Sequence, residues 1–201
     1  MAKKQVGRRV EGWKAKSWFK VHVPENLGKV YIGDTIANDA GSVVGRIMQA
    51  TLGEITNDYA KQHIKMRFRI ANVTGDAAYT EFVGHDVTRD YLRSLIKRRS
   101  TRIDCLVPIV TKDTKKVRLT ISCYTLARAN VSQIHAIRNA ITANVQAQAA
   151  AWDLNTLVNG IVAGEISRDL FKVIKVLYPI RRIEVVKSKV EMVAAPTPES
   201  P

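Results

Sequence analysis

The stretch His63-Ile64-Lys65-Met66-Arg67-Phe68-Arg69-Ile70 decides how this chain is read. Ile64, Met66, Phe68 and Ile70 alternate with His63, Lys65, Arg67 and Arg69, and a period of two sends the two sets to opposite faces of a sheet. One face is therefore buried and the other basic. After a turn at Asn72-Val73-Thr74-Gly75-Asp76, Ala78 to Val83 returns as the second strand of a hairpin. Upstream, Phe19, Val21 and Val23 alternate with Trp18, Lys20 and His22 until Pro24 ends a first strand. Lys29-Val30-Tyr31-Ile32-Gly33 begins a second, and Val43 to Ala50 a third. Downstream, Arg102 to Val110 and Val117 to Leu126 form another hairpin around Lys112-Asp113-Thr114-Lys115. A turn centred on Asp113-Thr114-Lys115 sets Cys105 opposite Cys123 on an apolar face.

Between the hairpins, Asp86 or Thr88 can cap a helix of about a dozen residues, because a short side-chain oxygen there accepts from unpaired first-turn amides. Tyr91, Leu92, Leu95 and Ile96 make its inner face. Arg89, Arg93 and Lys97 recur at four-residue intervals on another face, extended by Arg98, Arg99 and Arg102. From Val131 the period becomes helical, with Ile134, Ile137, Ile141 and Val145 in one stripe. Leu154, Leu157, Val158 and Ile161 form a second stripe, and Ile166, Leu170, Val173, Ile174 and Leu177 a third. Gly164 separates the last two helices, Tyr178-Pro179 ends the third, and a closing strand runs from Ile183 to Val190. Strands, helix, hairpin, three helices and strand in that order argue for an α+β fold rather than βαβ units. Its sheet is mostly antiparallel, with a barrel-like closure as one form it could take. The expected organisation is a basic N-terminal arm over 1–16, one α+β domain over 17–193 and a disordered tail over 194–201. Within the domain, 17–127 is strand-rich, 131–178 helical and 183–190 the closing strand.

With 201 residues, 46% of them hydrophobic, the chain can bury a real core. No apolar run approaches the roughly 20 residues of a membrane span. Met1-Ala2-Lys3-Lys4 leads into polar residues, without the apolar stretch of a secretory signal. A soluble cytoplasmic protein without a membrane partner is expected. Lys and Arg number 32 against 18 Asp and Glu, a net charge of +14, which attracts polyanions and above all phosphate backbones. A polybasic membrane-surface protein is the competing account, but no lipidation pattern accompanies the charge. Cys105 and Cys123 are too few for a disulfide framework or zinc ribbon and read as small buried hydrophobes.

Catalytic motifs are scarce. There is no phosphate-cradling loop, dinucleotide fingerprint or pair of His at helical metal-binding spacing. Ser94-Leu95-Ile96-Lys97 matches a Ser-x-x-Lys pattern within a basic helix, where chance is the better account. His85-Asp86 reads as a turn leading to a helix cap rather than as an acid/base pair. No enzyme activity, cofactor or metal is expected.

The basic clusters carry more. They comprise the arm with Lys3, Lys4, Arg8, Arg9, Lys14 and Lys16, the ladder Lys65, Arg67 and Arg69, and the series Arg89, Arg93, Lys97, Arg98, Arg99 and Arg102. Lys115 and Lys116, beside Lys112 and Arg118, and the pair Arg181/Arg182 complete them. Neutralising six single-strand phosphates would give a log–log salt slope of about four. The aromatic run of an RNA-recognition sheet, zinc-finger spacings and the KH loop are all missing, so backbone contact with little base reading is expected. Trp13 and Trp18 are left open between base stacking and packing, whereas Phe19 reads as packing. The region Asn139 to Gly164 has Asp153 as its only charge. It cannot bind phosphate, and it either packs on the sheet, the preferred reading, or offers a neutral face to a protein neighbour.

Phe82-Val83-Gly84-His85-Asp86-Val87-Thr88-Arg89-Asp90 resembles the F-x-G-x-D-x-T-R-D segment of the S3Ae family of archaeal and eukaryotic small-subunit ribosomal proteins. Lys16-Ser17-Trp18-Phe19, Gly45-Arg46-Ile47, Gln133 to Arg138 and Tyr178-Pro179 resemble further segments of that family in the same order. The resemblance implies a structural, rRNA-binding protein on the platform near the messenger exit. It further implies contact with small-subunit rRNA around its 3′ end, with neighbouring small-subunit proteins and with messenger RNA near the exit. The long C-terminal extension of eukaryotic members is missing here, which resembles the short archaeal form. An RNA-processing or modification enzyme, or a stand-alone translational regulator, is the alternative reading.

Overall fold

The computed structural model describes residue 13, residues 16–149 and residues 151–191. Most of the expected arm and the whole expected tail lie outside the described residues. The strands are β1 (Ser17–His22), β2 (Tyr31–Ala37), β3 (Ile47–Thr51), β4 (Ile64–Thr74), β5 (Ala77–Val87), β6 (Arg102–Val110), β7 (Lys116–Thr125) and β8 (Ile180–Glu191). The helices are α1 (Leu52–Thr56), α2 (Arg89–Leu95), α3 (Val131–Ala149), α4 (Leu154–Ala163) and α5 (Glu165–Leu177). The class is α+β. The sheet is mixed, because β1 pairs antiparallel with β2 and parallel with β5.

The strand order is β2-β1-β5-β8-β7-β6, with β4 paired to β3 and β5 beside that path. Among the described residues nothing joins β2 to β6, so the sheet is open and the barrel-like expectation is corrected. The first part of β5 pairs with β1 (Lys20↔Ala77), whereas its last part pairs with β8 (Gly84↔Lys189), so its edge is divided between two partners. Helix α3 lies on β6 and α5 on β8.

The chain divides into two units. The first holds residues up to Met48 together with Phe68–Glu81. Its core is small: Phe19, Val21, Ala37, Val43, Ile70 and Ala78. The second holds Gln49–Arg67 and the residues from Phe82 onward. There Ile103, Cys105, Val107 and Ile109 of β6 and Val117, Leu119, Ile121 and Cys123 of β7 meet Ile137, Ile141 and Val145 of α3 and Ile166, Leu170 and Ile174 of α5. The alternation along β6 is complete, every second residue being buried. Gly164, at φ +72°, lets α4 stop and α5 start on one residue, a backbone conformation that a Cβ disfavours.

Several local expectations shift. Cys105 pairs with Ile121 and Cys123 with Ile103, not with each other. The turn closes one residue earlier than expected, through Thr114 N–H donating to the Thr111 carbonyl, with Thr114 at φ +59°. Both thiols remain buried and free, and burial pushes that of Cys123 up to about 12. The third strand starts at Ile47 and ends in α1, whose capping box joins Thr51 and Glu54 through two reciprocal hydrogen bonds. Helix α2 has seven residues, not about a dozen. Ile96 is extended, and Ser100 Oγ donates to the Lys97 carbonyl at 2.6 Å to close a turn. Continuing the helix would also stack like charges at Arg93 and Lys97. Finally, His85 is not in a turn: β5 runs on to Val87.

The nearly uncharged region beyond Asn139 packs on one side only. Ile141, Val145, Leu157, Val158 and Ile161 are buried, while Asn139, Ala143, Gln146, Asn155 and Asn159 stay exposed.

Candidate nucleic-acid interface

The segment Phe82 to Asp90 forms the end of β5 and the start of α2, and its residues have identifiable geometric tasks. Gly84 permits close strand approach: a Cβ there would collide with the Ser188 carbonyl oxygen and stand 3.3 Å from the Cα of Lys189. The resulting register places Asp86 opposite Lys187. Asp86 accepts from Arg67 at 3.0 Å and lies 3.7 Å from Lys187, holding cations of β4 and β8 together. Between them, His85 is fully enclosed. Its backbone N–H donates to Ser188 Oγ, whose hydroxyl lies 2.6 Å from Nδ1, and Nε2 lies 2.9 Å from the Val185 carbonyl. A neutral ring with its proton on Nε2 satisfies all three contacts. Burial pushes its pKa below the ordinary value.

Helix α2 is anchored by a small core of its own, in which Val87, Leu92 and Val186 pack with Ile64 and Tyr91. The Tyr91 ring stacks on half-buried His63 at 3.9 Å, and its hydroxyl donates to Glu184 at 3.3 Å. Thr88, expected as a cap, provides no side-chain bond; its backbone N–H donates to the His63 carbonyl at 2.8 Å. These contacts aim Arg89 and Arg93 outward. A groove of about 400 Å³ results, lined by Arg89, Arg93, Arg102 and Lys187 with Asp86 as its one acid. Arg89 meets no acid among the described residues. Arg93 has Asp90 at 3.8 Å, an exposed pair that contributes little, and Arg102 is bonded to Asp104 at 2.8 Å.

The sequence-derived candidates therefore separate. Arg89, Arg93 and Arg102 converge, and Arg67 joins them through Asp86. Lys65 is exposed on the same side of β4 as Arg67. Lys97, Arg98 and Arg99 lie in the exposed turn after α2. Lys115 and Lys116 are exposed at the far end of the β6–β7 hairpin, about 25 Å along the strands from Arg102. Lys16 and Arg69 belong to the first unit, where Lys16 sits 5.3 Å from the Trp13 ring and Arg69 is half-buried beside Gly45. Lys3, Lys4, Arg8, Arg9 and Lys14 lie outside the described residues. Sequence reasoning missed Lys187, although its alternation with buried Val186 and Ser188 marked an outward cation on a strand. A second basic concavity of about 540 Å³ brings Lys61, Arg168, Arg181 and Arg182 together with Glu184. Among the described residues no cluster of three or more His, Cys, Asp and Glu could hold a metal, and no helix is long and apolar enough to cross a membrane.

Comparison with known proteins agrees along nearly the whole length. Residues 4–194 match the family described as the Ribosomal S3Ae family. A Methanoregula boonei protein named small ribosomal subunit protein eS1 is 79% identical over 194 residues, 96% of each chain. A protein of the same name from Methanoculleus marisnigri is 61% identical over 193 residues, 96% of this chain and 98% of its own. Another from Desulfurococcus amylolyticus is 38% identical over 189 residues, 94% and 88% of the two chains.

Proposed function

Because the chain belongs to the ribosomal S3Ae family, we infer that it is a structural constituent of the small ribosomal subunit and takes part in translation as a ribonucleoprotein component, not as an enzyme. Its location is the ribosome, in the cytoplasm. It associates there with rRNA and other ribosomal proteins.

The mode of contact is our reading. The groove lined by Arg89, Arg93, Arg102 and Lys187 supports it best, because four cations from α2, β6 and β8 open on one concavity. Guanidinium groups on a rigid frame suit phosphate oxygens, which position the protein without reading sequence. Lys65, Arg67 and the exposed Lys97, Arg98 and Arg99 extend the contact, and the arm cations add to it. The neutral outer sides of α3 from Asn139 onward and of α4 are offered to neighbouring proteins, since uncharged surface is cheaper to desolvate than charged surface. We place the protein on the platform near the messenger exit, the position implied by the family resemblance, with messenger RNA as an additional neighbour.

Sucrose-gradient fractionation tests this reading. The protein should comigrate stoichiometrically with small subunits in moderate salt. Recovery mainly in the free fractions, or in trace amounts on subunits, would reject it.

A further inference from the structure

The first unit buries Phe19 and Phe68 with small residues but leaves other large rings on its outer side. Ala37 and Ala78 are in the core, whereas Trp18, Tyr31 and Tyr79 are 60%, 50% and 43% exposed. Strand register explains which rings meet. His22 pairs with Tyr31 across β1 and β2, beyond an irregularity at Val21/His22, and with Tyr79 across the parallel β1–β5 pair. Cross-strand partners share a face, so the three rings form a row. Their centroids are 6.1 Å apart for His22–Tyr31 and 6.3 Å for His22–Tyr79. Trp18 and Lys20 continue the same side of β1.

We propose that this outward face of β2, β1 and β5 is a stacking platform for unpaired RNA, with Trp18, His22, Tyr31 and Tyr79 receiving bases and Lys16 and Lys20 facing the adjoining phosphates. The sequence contains no aromatic run of the RNA-recognition kind; pairing between distant strands assembles the rings instead. Charge selects the occupant. Lys20 has no ion pair among the described residues, and Lys16 lies over the Trp13 ring. The sequence ahead of β1 carries Lys3, Lys4, Arg8, Arg9 and Lys14 against the single acid Glu11. Of the acids on this face, Asp34 accepts from the Tyr31 phenol, which pushes that phenol's pKa up, and Glu81 stands beyond the end of β1. Base–aromatic stacking is sequence-tolerant and works beside a cationic track. An apolar protein partner would need no such track.

The proposal rests on the RNA-binding reading above, and the test keeps the two apart. The full chain is titrated at fixed salt with a 5′-labelled adenosine oligoribonucleotide and with an abasic oligomer of equal length and charge, and a 2-aminopurine-substituted oligomer reports stacking directly. The base-bearing oligomer should bind at least about tenfold more tightly, with quenched 2-aminopurine emission. Tyr31→Leu with Tyr79→Leu should abolish that preference while leaving abasic binding and the salt slope unchanged. Tyr31→Phe with Tyr79→Phe, which keeps the rings, should retain it. Equal binding of the two oligomers by the wild-type chain, or Leu variants that retain the preference, would overturn the platform yet leave phosphate contact standing. Binding of neither oligomer would reject both. If the Leu pair fails to fold, the wild-type 2-aminopurine signal and abasic comparison decide alone.

Discussion

We read the groove of the second unit and the outward sheet face of the first as answers to different recognition problems. In the groove, two of the four cations are paired with acids, Lys187 with Asp86 and Arg102 with Asp104, whereas Arg89 meets no acid among the described residues and Arg93 has only an exposed pair with Asp90. On the sheet face the chemistry is aromatic, and geometry comes from backbone pairing. A charged site must limit repulsion among its own members, and each acid that does so also competes with phosphate for the cations it pairs. A stacking site needs only rings held at a common level, which a strand's two-residue period supplies. The groove should therefore be sensitive to charge and salt, and the sheet face to the loss of rings.

The largest expected effect falls on the frame of the groove. Gly84→Ala drives a methyl group into the Ser188 carbonyl, and β5 must separate from β8 just where Asp86 and Lys187 are registered. Backbone, unlike a flexible side-chain end, cannot yield cheaply there. We expect a loss of about 3 kcal/mol, read as a fall in Tm of roughly 6–12 °C. RNA affinity of the remaining folded protein should fall with it. An alanine variant with unchanged Tm would show that the two strands are not in close approach.

Next in size comes a pair of opposed charge changes. Replacing Arg89, Arg93 and Arg102 with Glu should cut oligoribonucleotide affinity at least tenfold. Three lost single-strand phosphate contacts should lower the log–log salt slope by about two. Stability should remain within about 1 kcal/mol, since these positions are exposed. Asp86→Asn acts the other way: it removes the groove's one acid, so affinity should rise several-fold while stability falls by at most about 1 kcal/mol through the loss of the Arg67 and Lys187 pairs. If both changes move affinity in the same direction, the groove is not where phosphate binds.

How far these sites were legible follows from the same physics. Strict alternation in β4 and β6 and the helical stripes after Val131 identify elements from local periodicity alone; the structure follows them in these elements, except that Val173 and Leu177 of the third stripe are exposed while Ile166, Leu170 and Ile174 are buried. Arg89 and Arg93 were legible because a helix brings nearby sequence positions together. Lys187 was not, because a lysine on a strand gains its neighbours only from pairing register. The row of Tyr31, His22 and Tyr79 was hidden for that reason twice over: one contact crosses an irregular register, and the other joins strands far apart in sequence. Short loops escaped for another reason. The Thr111–Lys115 turn is shifted by one residue through a positive φ at Thr114, which composition does not signal.

The mildest expected effect is a pH dependence that belongs to the second unit. His85 is enclosed with its Nε2 near the Val185 carbonyl, and burial holds its pKa below the ordinary histidine value; burial also lowers that of His63 against Tyr91. An unfolded chain takes up these protons first as pH falls below about 6.5. The unfolded state then binds more protons than the native one, so stability declines with acidification through that range and levels off once pH is below the depressed native values. Each histidine can contribute no more than about 1.4 kcal/mol per pH unit. Urea unfolding between pH 7.5 and 5 should show the decline. A Trp13→Phe/Trp18→Phe background leaves Trp152, in the second unit, as the reporter. In that background His85→Asn should give a smaller acid slope, because only one depressed histidine then remains to link proton uptake to unfolding. A slope unchanged by that substitution would mean that the buried imidazole is not the group being charged, and that the acid sensitivity originates outside the β5–β8 pair supporting the groove.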